Sequence, residues 1–160
     1  SRIDSQNVVR LEHWTKEHLM AVTSESRTTW HGSLVEGSGS TALISSGATS
    51  FDVTWAARSE GQSGKTNPEE LLGAAHSACY SMALSHALSG AGTPPESLEV
   101  TAAVTFVPGE GVTGSHLLVI ASVPGLDEAA FAVFAEEAKT GCPISQALSG
   151  IPITLEATLR

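Results

Sequence analysis

The chain has 160 residues, 17 of them acidic and 8 basic, for a formal net charge of −9, and 41% of it is hydrophobic. One domain is the default at that length, the apolar fraction is ordinary for a globular fold, and the acidic balance excludes nucleic acid and anionic membrane as expected partners. Two cysteines 63 residues apart, with no Cys-x-x-Cys pair, exclude a secreted disulfide scaffold and a zinc ribbon.

No His-Glu-x-x-His run is present either, so neither a metal nor a bound cofactor is expected. A cytoplasmic protein with two free thiols is the plain reading.

Residues 1–19 look unlike the rest. Met20 followed by Ala21-Val22-Thr23 reads as the start of the domain proper, which makes 1–19 an appended leader and 20–160 a single domain. Val8, Leu11, Trp14 and Leu19 fit a short amphipathic helix in that leader, to which no function attaches.

From residue 28 to 55 the signals are for strands. Runs 28–35 and 41–45 flank the glycine turn Gly37-Ser38-Gly39, and a third run places Phe51, Val53 and Trp55 on one face. A three-stranded antiparallel meander is expected. Residues 56–65 read as a polar loop carrying Arg58.

The stretch 66–91 is the long central helix. Asn67 suits the N-cap, Pro68 the first turn, and Glu70 completes a capping box. Glu69 and Glu70 favour the positive end of the helix dipole. Gly90, Gly92 and Pro94 stop it. Its body has no clearly charged face, which predicts burial all round. A membrane span is the rival, and six Ser and His side chains spread through the run, from His76 to Ser89, argue against it.

After the helix, residues 98–106 alternate as a half-buried strand, Pro108 to Gly111 turn the chain, and 116–123 are apolar on both faces, as in an interior strand. Residues 127–140 form a second helix with Leu126, Ala130, Phe131, Phe134 and Ala138 as its stripe. Pro143 opens a third, short helix to residue 148, and 151–159 alternate as a last strand. The order βββ-α-ββ-αα-β defines an α+β class, two main helices against antiparallel sheet.

Read as chemistry, the two cysteines differ. Cys79, about eleven residues into an apolar helix, reads as a small hydrophobe unless a cation reaches it. The arginines past Met20 are Arg27, Arg58 and Arg160. Arg58 is nearest in sequence to the helix start, and alone it reads as a solvated loop residue. Cys142, between Gly141 and Pro143, falls at a helix N-cap, where unpaired backbone N–H groups favour a thiolate. On residues alone Cys142 is the more acidic thiol, and nothing requires the two to meet.

Two runs carry a resemblance. They are Thr66-Asn67-Pro68-Glu69-Glu70-Leu71-Leu72-Gly73-Ala74-Ala75-His76-Ser77-Ala78-Cys79 and Ala138-Lys139-Thr140-Gly141-Cys142-Pro143-Ile144-Ser145-Gln146-Ala147-Leu148. Their order and separation closely resemble the OsmC/Ohr family of hydroperoxide-reducing proteins, and Trp30-His31-Gly32 looks like the OsmC branch. The element order is similar to that fold from about residue 28 onward. The resemblance implies a thiol peroxidase for organic hydroperoxides, with Cys79 peroxidatic and Cys142 resolving through a Cys79–Cys142 disulfide. It implies an activating arginine, Arg58 with Arg27 as fallback, and a helix-start glutamate, Glu69. It also implies an external dithiol reductant of lipoyl type. His76, one turn from Cys79, reads as a packed core histidine rather than a base, and Ser145 and Gln146 stay outside the catalytic set.

One inference comes from geometry. Glu69 and Cys79 are ten residues apart, about 15 Å along a straight helix. An intertwined homodimer, with two such helices crossing antiparallel near Gly73, Ala74 and Ala75, sets Glu69 of one subunit against Cys79 of the other. A helix broken near Gly73 is the rival. Leu72, Met82, Phe131 and Phe134 are expected as apolar walls around Cys79. Two other functions fit the same residues: a non-catalytic dimer binding a small apolar ligand, and a thiol redox sensor.

Overall fold

The structure, a computed structural model, describes residues 21–61 and 64–160. The leader and its amphipathic pattern lie outside the described residues. The fold is α+β, in the order βββ-αα-ββ-αα-β, one short helix more than expected.

Strands β1 (Ser26–His31), β2 (Ser38–Leu43) and β3 (Ser50–Val53) form an antiparallel sheet in the order β1-β2-β3. This is the expected meander with shifted bounds: the first strand is shorter than the run 28–35, and Ser38 and Gly39, expected in the turn, already belong to β2. The first ends at His31 because Gly32 adopts φ 87°, a left-handed turn that suits glycine. None of the six residues of β1 is buried.

The segment 56–65, read as loop, contains a short helix, α1 (Trp55–Ser59). Thr54 caps it, its hydroxyl accepting from the Ala57 N–H at 3.1 Å. The apolar alternation Phe51-Val53-Trp55 hid this boundary. Arg58 therefore stands in the last turn of a capped helix, not in a free loop.

Helix α2 (Pro68–Gly90) is unbroken over 23 residues, about 34 Å long. Asn67 caps it as expected, its side chain accepting from the Glu70 N–H at 2.8 Å. The reciprocal half of the capping box is replaced by another contact: Thr66 donates to Glu70 Oε2 at 2.6 Å. The predicted all-round burial is not met within one chain. A single stripe is buried, Glu69, Gly73, His76, Tyr80, Leu84 and Leu88, at spacings of three and four. On the far side Ala74, Ala75 and Ala78 are exposed, and Met82 is 72% exposed.

Strands β4 (Ser97–Val107), β5 (Gly111–Ser122) and β6 (Ile153–Leu159) make a second sheet in the order β4-β5-β6. β5 is interior, as its apolar run predicts, with Leu117, Val119 and Ala121 fully buried. The expected all-antiparallel sheet is corrected: β6 runs parallel to β5. The chain leaves β5, crosses through α3 (Glu128–Gly141) and α4 (Pro143–Ala147), and returns in the same direction. Asp127 caps α3, accepting from the Ala130 N–H at 2.8 Å.

The core lies between α2, α3 and this second sheet: Tyr80, Leu84 and Leu88 against Leu117, Val119, Ala121 and Phe131. The Tyr80 hydroxyl donates to the Ala135 carbonyl at 2.8 Å, so the buried phenol is satisfied. Gly73 is not at an open crossing. A Cβ there would stand 2.8 Å from the Ala102 carbonyl oxygen of β4. Gly73→Ala is thus expected to destabilise the fold. Overpacking of roughly 1–3 kcal/mol exceeds the gain of up to about 1 kcal/mol in helix propensity. Urea unfolding checks this; an unchanged or raised midpoint contradicts it.

Candidate active site

Arg58 and Glu69 meet. The Nε of Arg58 donates to Glu69 Oε1 at 3.1 Å and Oε2 at 3.2 Å, and its Nη2 to Oε1 at 2.7 Å. This forked geometry matches a planar guanidinium to a carboxylate. The Glu69 side chain is 8% exposed and that of Arg58 32%. Capping fixes both ends of the pair, through Thr54 in α1 and Asn67 in α2. Phe106 of β4 lies beneath: the Arg58 guanidinium carbon is 4.1 Å from its ring centroid, and Trp55 packs edge-on to the same ring at 6.2 Å. Arg27 lies exposed on β1, opposite Ala42.

The two cysteines also meet. Cys142 follows the last turn of α3, its N–H bonded to the Ala138 carbonyl at 2.9 Å, and opens α4. That corner brings its sulfur against Cys79 of α2. Both are free thiols; Cys79 is half-buried and Cys142 fully buried. Burial pushes the Cys79 thiol up, with the Ile144 backbone N–H opposing and neighbouring Cys142 adding to it. Burial acts on Cys142 in the same sense. There it is outweighed by the Ser145 N–H, the Cys79 thiol, the Ser145 hydroxyl and the Ile144 N–H, which together bring it down. Cys142 is the more acidic thiol, the order its N-cap position suggested. It makes no cap hydrogen bond as a side-chain acceptor. A neutral thiol is a weak acceptor, and these donors gain strength once the sulfur carries charge.

A cleft of about 510 Å³ opens beside Cys79, walled by Met82, Ala83, Ala87, Gly141 and Pro143, with His86 and Glu137 at its edge. Of the four expected wall residues Met82 lines it. Phe131 is instead in the closed core, with Phe134 packed against that core. A separate polar cleft of about 390 Å³ holds Arg58, Glu69, Lys65 and Phe106.

Within one chain the site is therefore in two parts. α2 is continuous between Glu69 and Cys79, which overturns the broken-helix alternative and leaves the ion pair about 15 Å along the helix from the thiol.

His76 is a core histidine, as expected. It is fully buried, with Nδ1 2.7 Å from the Ser115 hydroxyl and Nε2 2.8 Å from that of Ser145. Residues missed from the sequence are Phe106, which reads only as a strand residue, and Ser145, set aside although it lies three positions after Cys142. Among the described residues no group of acidic, His and Cys side chains is arranged to hold a metal, and no helix is long and apolar enough to cross a membrane.

A family profile described as OsmC-like protein matches residues 60–156. Peroxiredoxin OsmC of Escherichia coli K12 is 38% identical over 144 residues, covering 88% of this chain and 99% of the relative. An organic hydroperoxide resistance protein from Elizabethkingia anophelis superposes with a TM-score of 0.64 at 25% identity, over 88% of this chain and 97% of that one. An organic hydroperoxide resistance protein OsmC from Legionella pneumophila gives 0.62 at 22%, over 88% and 98%. The chain belongs to the OsmC-like family.

Burial lowers the His76 pKa, which has a consequence for stability. An unfolded imidazole titrates near about 6.5. Below that pH the unfolded chain takes up a proton the folded chain resists, so stability falls as pH drops through that value toward the lowered folded one. Urea midpoints are expected to decline from about pH 7.5 to about pH 5, and His76→Gln to flatten the decline. Identical pH dependence in parent and variant contradicts this.

Proposed function

We propose that this protein is a cysteine-based peroxidase that reduces organic hydroperoxides, working as an intertwined homodimer. The observation that carries the reading is the meeting of two free thiols from opposite halves of the sequence, one facing a cleft and the other buried behind it. The names of the relatives, peroxiredoxin OsmC and organic hydroperoxide resistance protein, point the same way.

In this mechanism Arg58, held by Glu69, lowers the raised pKa of Cys79 and supplies a cation that the described residues around Cys79 do not. The Cys79 thiolate attacks one peroxide oxygen, the O–O bond breaks, and the departing alkoxide takes a proton to leave as an alcohol. Cys79 is left as a sulfenic acid. The Cys142 sulfur displaces hydroxide from it, forming the Cys79–Cys142 disulfide and, with one proton, water. An external dithiol, of lipoyl type by family likeness, restores both thiols by exchange and leaves oxidised. No bound cofactor or metal takes part. Working thiols need a reducing compartment, which favours the cytoplasm.

What one chain leaves uncovered supports the dimer. A three-stranded sheet whose first strand is entirely exposed, with Trp30, Leu34 and Val35 open at 38, 57 and 73%, is not stabilised by its own core. Helix α2 shows the apolar face of Ala74, Ala75, Ala78 and Met82. Antiparallel crossing of two α2 helices covers that face and brings the ion pair of one subunit to Cys79 of the other.

One equivalent of cumene hydroperoxide added to reduced protein is expected to give a Cys79–Cys142 disulfide by non-reducing peptide mapping, absent in Cys79→Ser. Cys142→Ser stops at the sulfenic acid. The apolar Cys79 cleft predicts a second-order rate with cumene hydroperoxide at least about tenfold above that with hydrogen peroxide, since burying the organic group adds apolar contact. Thiols that stay free contradict the enzyme and favour a binder of small apolar ligands; oxidation without turnover on a dithiol favours a sensor.

A further inference from the structure

Behind Cys142 lies a buried polar chain that the peroxidase mechanism does not use. Ser115, His76 and Ser145 run in line through an otherwise apolar core, at 2.7 Å and 2.8 Å between partners. His76 and Ser115 are 0% and 2% exposed, and Ser145 is 5% exposed. Cys142 is the N-cap of α4 and Ser145 stands buried in its first turn, so the Ser145 hydroxyl ends the line beside the Cys142 sulfur.

Hydrogen counting decides what this line can do. Burial keeps the His76 ring neutral, so it carries one N–H and one acceptor nitrogen. Ser145 has one hydroxyl hydrogen. If the ring hydrogen is on Nδ1, it goes to Ser115, and Ser145 must spend its own hydrogen on Nε2, leaving nothing for the sulfur. If the ring hydrogen is on Nε2, it goes to Ser145 Oγ, Ser115 donates to Nδ1, and the Ser145 hydrogen is free to face Cys142. Only the second arrangement gives a thiolate at Cys142 the Ser145 hydroxyl as a donor in addition to the Cys79 thiol, and a charged sulfur in a buried site favours the arrangement that supplies it.

We propose that His76 and Ser145 are positioning residues for the resolving step: His76, as its Nε2–H tautomer, turns the Ser145 hydroxyl onto the Cys142 sulfur and holds it as the nucleophile that attacks the Cys79 sulfenic acid. In that step the S–S bond forms, the S–O bond of Cys79 breaks, and the hydroxide released takes up the proton that Cys142 gave up on ionising, leaving as water. No net proton is gained or lost, and no group is needed beyond the two thiols and the sulfenic acid. This deepens the peroxidase reading and rests on it.

The other titratable groups around this sulfur are few. Among the described residues they are Cys79 and Tyr80 from α2 and, from α3, Glu136, which acts on Tyr80; the Ser115 hydroxyl of β5 bonds His76. Tyr80 is held neutral by burial, with Glu136 and Cys142 adding to that effect, and its hydroxyl is already given to Ala135. It does not compete to donate to Cys142.

Two measurements test the proposal and separate its failure from that of the peroxidase reading. In Cys79→Ser protein Cys142 is the one remaining thiol, and its thiolate absorbance near the far ultraviolet can be followed against pH without any peroxide. Adding Ser145→Ala is expected to move the midpoint to higher pH. Adding His76→Gln, whose amide can donate where Nε2–H did, leaves it close to the parent, and His76→Leu moves it up. In the protein with both cysteines, one equivalent of cumene hydroperoxide should form the sulfenic acid at the parent rate in all three variants. Its conversion to disulfide should slow about tenfold in Ser145→Ala and His76→Leu and stay near normal in His76→Gln, the scale of one hydrogen bond to a charged group. If His76→Leu does not fold, Ser145→Ala and His76→Gln carry the comparison. A midpoint unmoved by Ser145→Ala, or a His76→Gln protein whose midpoint rises as far as that of Ser145→Ala, overturns the proposal. Absence of sulfenic acid in the parent overturns the peroxidase reading instead, while the titration still reports on His76 and Ser145.

Discussion

A single unbroken helix holds Glu69 and Cys79 at fixed separation, and the rest of the molecule is arranged around that constraint. Ten residues of straight helix set them about 15 Å apart. No side-chain rotation closes such a gap, so the ion pair and Cys79 line separate clefts within one chain. What the helix does permit is a second helix crossing it. Its exposed apolar side consists of small residues and Met82, and the sheet that leads into it has no buried residue in its first strand. The same feature that divides the site thus leaves a surface able to complete it.

The two parts are built differently because their charges differ. Glu69 is nearly buried and needs a full partner, since an unpaired carboxylate there bears a desolvation cost with nothing to offset it. Arg58 provides two-pronged donation and keeps part of its guanidinium in contact with Phe106 and part open. Among the described residues no cationic side chain acts on either thiol. Burial raises Cys79, while Cys142 is drawn down by the amides and hydroxyl at the α3–α4 corner. In the isolated chain the negative charge thus favours the buried sulfur. In the dimer proposed above, a guanidinium brought to Cys79 would shift it to the sulfur that faces the cleft, where a peroxide can be met.

Much of this was legible in the sequence because it rests on local rules. The Asn67-Pro68 start, the glycine stop, the alternation of β4 and β6 and the doubly apolar run of β5 each declare themselves within a few residues. What was not legible depends on tertiary contact. Trp55 continued a strand alternation but starts a helix, because the Thr54 cap outweighs the pattern. Gly73 reads as a small residue for helix crossing, yet it faces the Ala102 carbonyl of β4. The direction of β6 is set by a crossover whose path no periodicity records. His76 was readable as a core residue from its apolar neighbours, but its partners Ser115 and Ser145 are 39 and 69 residues away. Glu69 and Arg58 were singled out by family likeness, and the capped helices α1 and α2 give the physical reason they meet.

The measurement that bears most directly on the central claim, a site shared between subunits, is complementation. Arg58→Met and Cys79→Ser homodimers are each expected to be strongly impaired. Unfolded together and refolded, random pairing makes half the dimers mixed, and each mixed dimer unites one intact Cys79 with the intact Arg58 of its partner, restoring about one quarter of the parent rate. A mixture no more active than the average of its two components contradicts the shared site and requires Arg58 to serve Cys79 within its own chain.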